Sequence, residues 1–440
     1  MYNVFYINLL VVSRMKEAAI RKVNVTIEDE RVFNLMTYLT TVENYTFVGN
    51  ESEVWLENLD HPKVQLIYIN DRLNLTEAHA TYISSKMKLV AQNLKRMYWM
   101  PRIASLVLNF APGDDAIIKL PYATLIGAHD VASLRAHPLM RRFFPKITQM
   151  NLTQNIQTLV MTMQIHSYER SVQQLSLLHH TKKPWVIWIF TAILFIIFAF
   201  VAYQSQRYHI NPIFLAIHHG ATYKPLIIAG EYWRLIGASF IHIDFWHLLF
   251  NALFIFQFGK RIEHIFGHWR LIIIIYFSAL LGGLASFGFS SNFSIGASTV
   301  AYGFLGVMVF LAFEMRKIYM PFLKTNVLPM LAFSIVFSLF MPNIDHFGHI
   351  GGFFGGFLGA AFIGLPKFKF FWMRSALVLL ITFFLVNGLW IQGNRLYAQA
   401  DFSSINQIIV LEYTRLGNAE RAAHMADILN VDVEQFPWRR

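Results

Sequence analysis

Between Pro184 and Gln392 the chain is almost continuously apolar, broken by short polar links. A helix needs about 20 apolar residues to cross hydrocarbon, and seven runs approach that length: 184–203, 240–258, 271–289, 298–313, 327–341, 347–365 and 370–392. Lipid offers no partners to an open sheet edge, so the runs are expected to be helices packed as a bundle. Some are short, which suits bundle helices whose polar ends line a cavity. Outside them the character changes. Residues 1–183 carry ordinary charge density, and 393–440 form a short tail. The expected fold is a multi-pass α-helical membrane bundle, residues 184–392, with an N-terminal soluble α/β domain, residues 1–183, and a helical tail, residues 393–440.

In the N-terminal region, Val64–Asn70 and Ala104–Phe110 are rich in branched and aromatic residues and read as strands. Glu77 to Trp99 has the apolar spacing of a helix, closed by Pro101. Met1–Val12 lacks a basic leader and a small-residue cleavage site, so it reads as a first strand and not as a signal peptide. The acidic pairs in Glu28-Asp29-Glu30 and Asp114-Asp115 have no metal-ligand spacing and read as solvated loops. Asn24, Asn44, Asn50, Asn74 and Asn151 begin Asn-Xaa-Ser/Thr triplets, which carry meaning only in a secreted domain. The absence of cysteine excludes disulfides and thiolate metal sites. A net charge of +11 raises nucleic acid as a partner; basic residues gathered in the links between membrane helices account for it without one.

Those links also orient the bundle. Lys182 and Lys183 precede the first run, Lys260, Arg261 and Arg270 follow the second, Arg316, Lys317 and Lys324 follow the fourth, and Lys367 and Lys369 follow the sixth. The links after the third and fifth runs have neither lysine nor arginine. The N-terminus is therefore expected in the cytoplasm and the C-terminus outside, in the cell membrane. Arg207, Lys224 and Arg234, between the first and second runs, oppose that assignment.

Three polar clusters interrupt the apolar half: His242, His247 and Asn251; Ser298; and Asp345, His346 and His349. Ionisable groups inside a bilayer are costly and mark function. In the deduced topology the second, fourth and sixth runs all begin outside, so the clusters share one leaflet. A serine in a membrane helix is usually a small packing residue, but beside a histidine it becomes a nucleophile. His349 is the expected base. Asp345, four residues earlier, reads as the N-cap of its helix in preference to a third catalytic member. Tyr302, one turn after Ser298, can support the imidazole or be a core tyrosine. His247 and Asn251, at i and i+4, can donate to an oxyanion, with the Ser298 amide at a helix N-terminus as a third donor. His346 reads as an interfacial residue. Zinc held by the histidines would leave the serine without a role, so no metal or cofactor is expected.

These residues resemble the rhomboid family of intramembrane serine proteases over about Tyr208 to Gly364. The motifs are Gly230-Glu-Tyr-Trp-Arg-Leu235, His242 with His247-Leu-Leu-Phe-Asn251, Phe258-Gly-Lys-Arg-Ile-Glu263, Gly296-Ala-Ser298 with Tyr302, and Gly348-His349-Ile-Gly-Gly352 with Gly356. The resemblance implies a six-helix core, here with a seventh C-terminal helix added, and a Ser298–His349 dyad opened to water from outside. It implies an oxyanion role for His247 and Asn251 and a structural loop around Trp233 and Arg234. Such proteases cleave single-span membrane proteins near the outer part of the bilayer without cofactor or metal.

Thr299 departs from the family's Gly-Xaa-Ser-Gly. A branched residue there is expected either to press on the sixth helix or to bond its hydroxyl back to a carbonyl. The alternative to a protease is an inactive relative that binds or escorts membrane clients. The glycines at 351, 355 and 359, and at 352 and 356, form two stripes that let the fourth and sixth helices approach. The tail reads as one helical hairpin, Ile405–Leu416 and Ala419–Leu429, broken near Gly417, that docks on the membrane domain or on a partner. Neither the oligomeric state nor the role of residues 1–183 is legible.

Overall fold

In the computed structural model the chain divides into two compact units, residues 1–176 and 177–440. The structure describes residues 30–48, 54–70, 77–110, 117–120, 122–128, 130–150, 158–159, 161–163, 165–166, 183–340, 344–366 and 372–432. Met1–Val12, Glu28, Asp29, Asp114, Asp115, Asn24, Asn50, Asn74, Asn151, Lys182, Lys367 and Lys369 lie outside them.

The N-terminal unit is built on a six-stranded mixed sheet in the order β1-β2-β3-β4-β6-β5. The strands are β1 Thr46–Phe47, β2 Val54–Glu57, β3 Leu66–Asn70, β4 Ser105–Asn109, β5 Ile117–Leu120 and β6 Ala123–Gly127. β3 and β4 are parallel, which requires a long crossover; the helix expected from Glu77 supplies it, as Glu77–Tyr98. Alternation in the strands feeds two cores. Leu56, Ile67, Ile69, Leu106, Leu108 and Ile126 face helices α1 Glu30–Thr41, α3 Val131–Ala136 and α4 Pro138–Phe143. Trp55, Leu66, Tyr68, Val107 and Leu125 face Ile83 and Met87 of the crossover helix, α2.

The second unit contains α5 Trp185–Tyr208, α6 Pro212–His219, α7 Lys224–Ile228, α8 Arg234–Gly237, α9 Phe245–Phe266, α10 His268–Phe289 and α11 Ser298–Glu314. α12 Arg316–Phe322 then runs through a π-helical turn, Leu323–Val327, into α13 Leu328–Phe340; α14 His346–Ile363 and α15 Trp372–Tyr397 follow. Five helices among the described residues are long and apolar enough to cross a membrane, and α8 with α9, bent by 96°, make a sixth candidate. α11 is apolar but has only 17 residues, roughly 25 Å of rise. It can be short because protein surrounds it: twelve of its residues are buried.

Each of the seven apolar runs falls on a helix, and most helices extend past the runs into polar residues. The second differs at its start. The helix begins at Phe245, with Asp244 Oδ1 accepting from His247 N–H at 2.8 Å, so His242 sits in the bend before it and not on its outer half. At the other end of α9, fully buried Glu263 accepts from the N–H groups of Val186 and Ile187, both at 2.9 Å. It thereby caps α5, supplying acceptors to N–H groups that the first turn of a helix leaves without partners.

The two glycine stripes of α14 serve two helices. A Cβ on Gly351 or Gly355 would strike the backbone carbonyls of Leu281 or Phe277 in α10. A Cβ on Gly352 or Gly356 would strike Thr299 or Gly303 in α11. The expectation that both stripes join the fourth and sixth helices is thus corrected: α14 is wedged between α10 and α11. The tail helices, α16 Ser403–Arg415 and α17 Ala419–Leu429, form the expected hairpin around Gly417, whose φ of +75° suits glycine. Ile409, Val410, Tyr413, Met425 and Leu429 pack on Phe214, Ile217, Tyr223 and Leu226, within the link between α5 and α8. Tyr223 Oη donates to Asn406 Oδ1 at 2.6 Å across that interface.

Candidate active site

α9, α11 and α14 bring their N-terminal ends together, and the three polar clusters meet there. Ser298 is the first residue of α11, and its Oγ lies 2.9 Å from Nε2 of His349, one turn into α14. Both are half-buried. At that distance the hydroxyl can donate to Nε2, which places the imidazole proton on Nδ1. Tyr302, one turn after Ser298, stacks its ring on His349, with centroids 4.1 Å apart and planes 13° from parallel. Its hydroxyl donates to Ser334 Oγ on α13 at 2.9 Å, which fixes the tyrosine ring and with it one face of the imidazole. Asp345 caps α14, accepting from Gly348 N–H at 2.9 Å. No carboxylate hydrogen-bonds His349 among the described residues.

The approach to Ser298 is a sharp turn. Gly296 has φ +110°, and a Cβ there would lie 2.7 Å from Cε1 of His247 and 3.6 Å from Nδ2 of Asn251. Glycine is required on both counts, and the contact sets His247 and Asn251 beside the chain two residues before the serine. His242 holds the turn from behind. Its Nε2 accepts from Ala297 N–H at 3.2 Å and lies 3.2 Å from Asn251 Nδ2. The Ser298 N–H, first in its helix, has no intrahelical acceptor. His247, Asn251 and the Ser298 N–H are donors gathered around this turn, and a developing oxyanion is the kind of charge such a set can stabilise. Among the described residues no three His, Asp or Glu side chains converge as metal ligands.

Two of the three cations that oppose the charge rule, Arg234 and Lys224, are held inside the protein, whereas Arg207 is exposed and lies over the Tyr208 ring. Arg234 is buried; it pairs with Glu231 at 2.5 Å and donates to the carbonyls of Ile217 and Ala221. Lys224 is also buried, donates to the Phe287 carbonyl, and has its pKa lowered to about 8 by desolvation. Trp233 is exposed on one side and lies over Gly220 and Gly237; a Cβ on either would meet its indole at 2.6 or 3.1 Å. The loop is therefore fixed by its own contacts, by α10 and by the tail helices.

Thr299 corrects both expectations for it. Its Cβ and Cγ2 occupy the space over Gly282 of α10, and its hydroxyl meets Ser239 Oγ at 2.9 Å in place of a carbonyl. Gly352 faces the backbone of Thr299 and not its side chain. His346 Nδ1 meets Ser338 Oγ at 3.2 Å. Ser239 and Ser334 were not anticipated. A serine in an apolar segment is ordinary in sequence, and only the fold supplies their partners.

Helices of this length and number, gathered around a hydroxyl–imidazole pair, define a multi-pass membrane protein with an enclosed polar centre. Comparison with known proteins gives the family. Residues 229–366 match the Rhomboid domain. The chain is 30% identical over 263 residues to Rhomboid protease GluP of Bacillus subtilis (strain 168), covering 57% of this chain and 50% of that one. It is 32% identical over 149 residues to Rhomboid-like protease 1 of Toxoplasma gondii, covering 32% and 51%. It is 30% identical over 131 residues to the putative rhomboid protease YdcA of Bacillus subtilis (strain 168), covering 29% and 66%. The chain belongs to the rhomboid family. It spans about half the length of the first two of these relatives.

Proposed function

We propose that this chain is an intramembrane serine endopeptidase that uses Ser298 and His349 on single-span membrane proteins. The observation that carries the reading is the 2.9 Å contact between Ser298 Oγ and His349 Nε2, with the imidazole held against Tyr302. Ser298 Oγ attacks the carbonyl carbon of the scissile peptide as its proton passes to His349 Nε2. The negative charge on the carbonyl oxygen is met by His247, Asn251 and the Ser298 N–H. His349 then returns the proton to the leaving amine, the C–N bond breaks, and an acyl-Ser298 ester remains. Water, deprotonated by the same imidazole, hydrolyses that ester and frees Ser298. Gly296 and Gly352 serve by keeping side chains out of the two approaches, and His242 by holding the turn.

The membrane orientation belongs to the same proposal: N-terminus and residues 1–183 in the cytoplasm, site and tail toward the outside. Its support is the distribution of lysine and arginine. Lys224, bonded to Phe287 of α10, and Arg234, paired with Glu231, are buried for structural reasons and so do not weigh against it; of the three opposing cations only exposed Arg207 still does. The test is cleavage of a generic single-span protein by purified protein in liposomes, with Ser298→Ala and His349→Ala alongside. Cleavage by the wild type and by neither variant is the expected result. Cleavage that persists in either variant removes the dyad from the reaction. A folded wild type that neither cleaves nor reacts with a fluorophosphonate favours the client-binding alternative.

A further inference from the structure

We infer that Thr299 and Ser239 form a positioning pair that sets the nucleophile against its base, an assignment that rests on the protease reading above. The segment 238–242 grips the chain around Ser298 at three places. Gly296 N–H donates to the Ala238 carbonyl at 2.9 Å, Ala297 N–H donates to His242 Nε2 at 3.2 Å, and the hydroxyls of Thr299 and Ser239 meet at 2.9 Å. Two of these bonds lie just before the nucleophile and one just after it. Only the third is made by two side chains, so it alone can be removed without altering the backbone or His242.

The pair is built into the interior. Ser239 is 2% exposed and Thr299 7% exposed, so neither hydroxyl can turn to bulk water when its partner is lost. The far side of the threonine is equally confined, since a Cβ on Gly282 would lie 2.7 Å from Thr299 Cβ and Cγ2. The consequence reaches His349 through the helix that carries it. Gly352, one turn after His349, rests directly on the backbone of Thr299. A threonine held toward Ser239 therefore fixes the seat of α14, and with it the distance from Nε2 to Ser298 Oγ. The departure from glycine at this position is thus matched by a partner for the hydroxyl in the bend before α9 and by an open glycine for the methyl on α10.

The experiment is the rate at which a fluorophosphonate modifies Ser298 in the full-length protein in liposomes, read by mass spectrometry, with the thermal midpoint recorded for each variant. Thr299→Val keeps the shape and removes the hydroxyl, Ser239→Ala removes the partner, and Thr299→Ser keeps the hydroxyl. Loss of one buried hydrogen bond corresponds to a fall of about five- to tenfold. We expect that fall for Thr299→Val and for Ser239→Ala, no further fall in the double variant, and a rate near wild type for Thr299→Ser. With a membrane substrate, assayed well below the thermal midpoint of every variant and normalised to folded enzyme, the fall appears in kcat and leaves KM unchanged, whereas a loss of stability alone would leave kcat per folded enzyme at the wild-type value. Equal rates in wild type, Thr299→Val and Ser239→Ala overturn the pair and leave the protease reading intact. A double variant that multiplies the single effects, or rates that follow the fall in thermal midpoint in all three variants, overturn it as well. A folded wild type that is not modified overturns the protease reading and this inference with it.

Discussion

In the sheet of the N-terminal unit, Leu106 and Leu108 turn to one layer of helices and Val107 to the other, and each core is filled by side chains. Around α14 of the membrane unit the contacts run through the positions that have no side chain: Gly351 and Gly355 on the carbonyls of Leu281 and Phe277, Gly352 and Gly356 on the backbones of Thr299 and Gly303. The difference follows from the solvent. Water rewards the removal of apolar area at roughly 25 cal/mol per Å², so the sheet gains from large residues. Lipid is as apolar as leucine and gives no such reward, so the membrane helices gain from close approach and the dispersion contacts it allows. The site depends on that closeness, because Ser298 and His349 stand on helices that meet backbone to backbone.

The largest effect in the molecule should involve no packing at all. Ser298→Ala is expected to lower cleavage by on the order of 10⁵–10⁶ while leaving the thermal midpoint unchanged, as a differential melt beside the activity assay would record. A drop in midpoint would mean that the serine is a packing residue and that the two roles separated here are one. Next comes the glycine seam. Gly356→Leu places a side chain where the Gly303 backbone lies, so the helices must part; the expected outcome is loss of Ser298 labelling and of a cooperative melt for the membrane unit. A well-folded, active Gly356→Leu protein would break the comparison.

The reverse change belongs to the sheet. Leu108→Ala removes a fully buried side chain and should cost the N-terminal unit about 2–5 kcal/mol, measured by denaturant unfolding, with the Ser298 labelling rate unaltered. Smaller again is Tyr45→Phe. The Tyr45 hydroxyl donates to the Val64 carbonyl at 2.6 Å in the interior, and its loss should cost about 1 kcal/mol.

The smallest effect is a pH dependence. Burial holds the His61 pKa below the ordinary value, and its Nδ1 accepts from Val64 N–H at 3.0 Å, which requires the neutral ring. The unfolded chain therefore takes up a proton first as pH falls. The stability of this unit should be flat above the unfolded pKa of about 6.5, decline as pH falls below that value, and level off once the lower folded pKa is passed. His61→Asn, which keeps an acceptor, should remove that part of the decline in melts between pH 7.5 and 5.

The helices and the polar residues that meet at the candidate site are legible in the sequence because the bilayer makes both conspicuous: long apolar runs read as spanning helices, and a histidine among them stands out. Val64–Asn70 and Ala104–Phe110 are legible from their branched and aromatic composition, and Glu77–Trp99 from the helical spacing of its apolar residues. What the sequence did not carry was the side on which residues face. The glycines at 351 and 352 are neighbours in sequence and serve different helices. Thr299 was placed against α14 because only the motif was in view, whereas its partner, Ser239, lies 60 positions earlier in a bend that no periodicity marks. His242 left the helix for the same bend, and its ring reaches the turn from there.

The central claim is that His349 activates Ser298. It is tested most directly by mapping fluorophosphonate modification by mass spectrometry on the wild type and on His349→Ala, both reconstituted in liposomes and both checked by melting. The account predicts modification of the wild type at Ser298 alone and none within the same time in His349→Ala. Equal modification of the two proteins, or a folded wild type modified elsewhere or not at all, would contradict it.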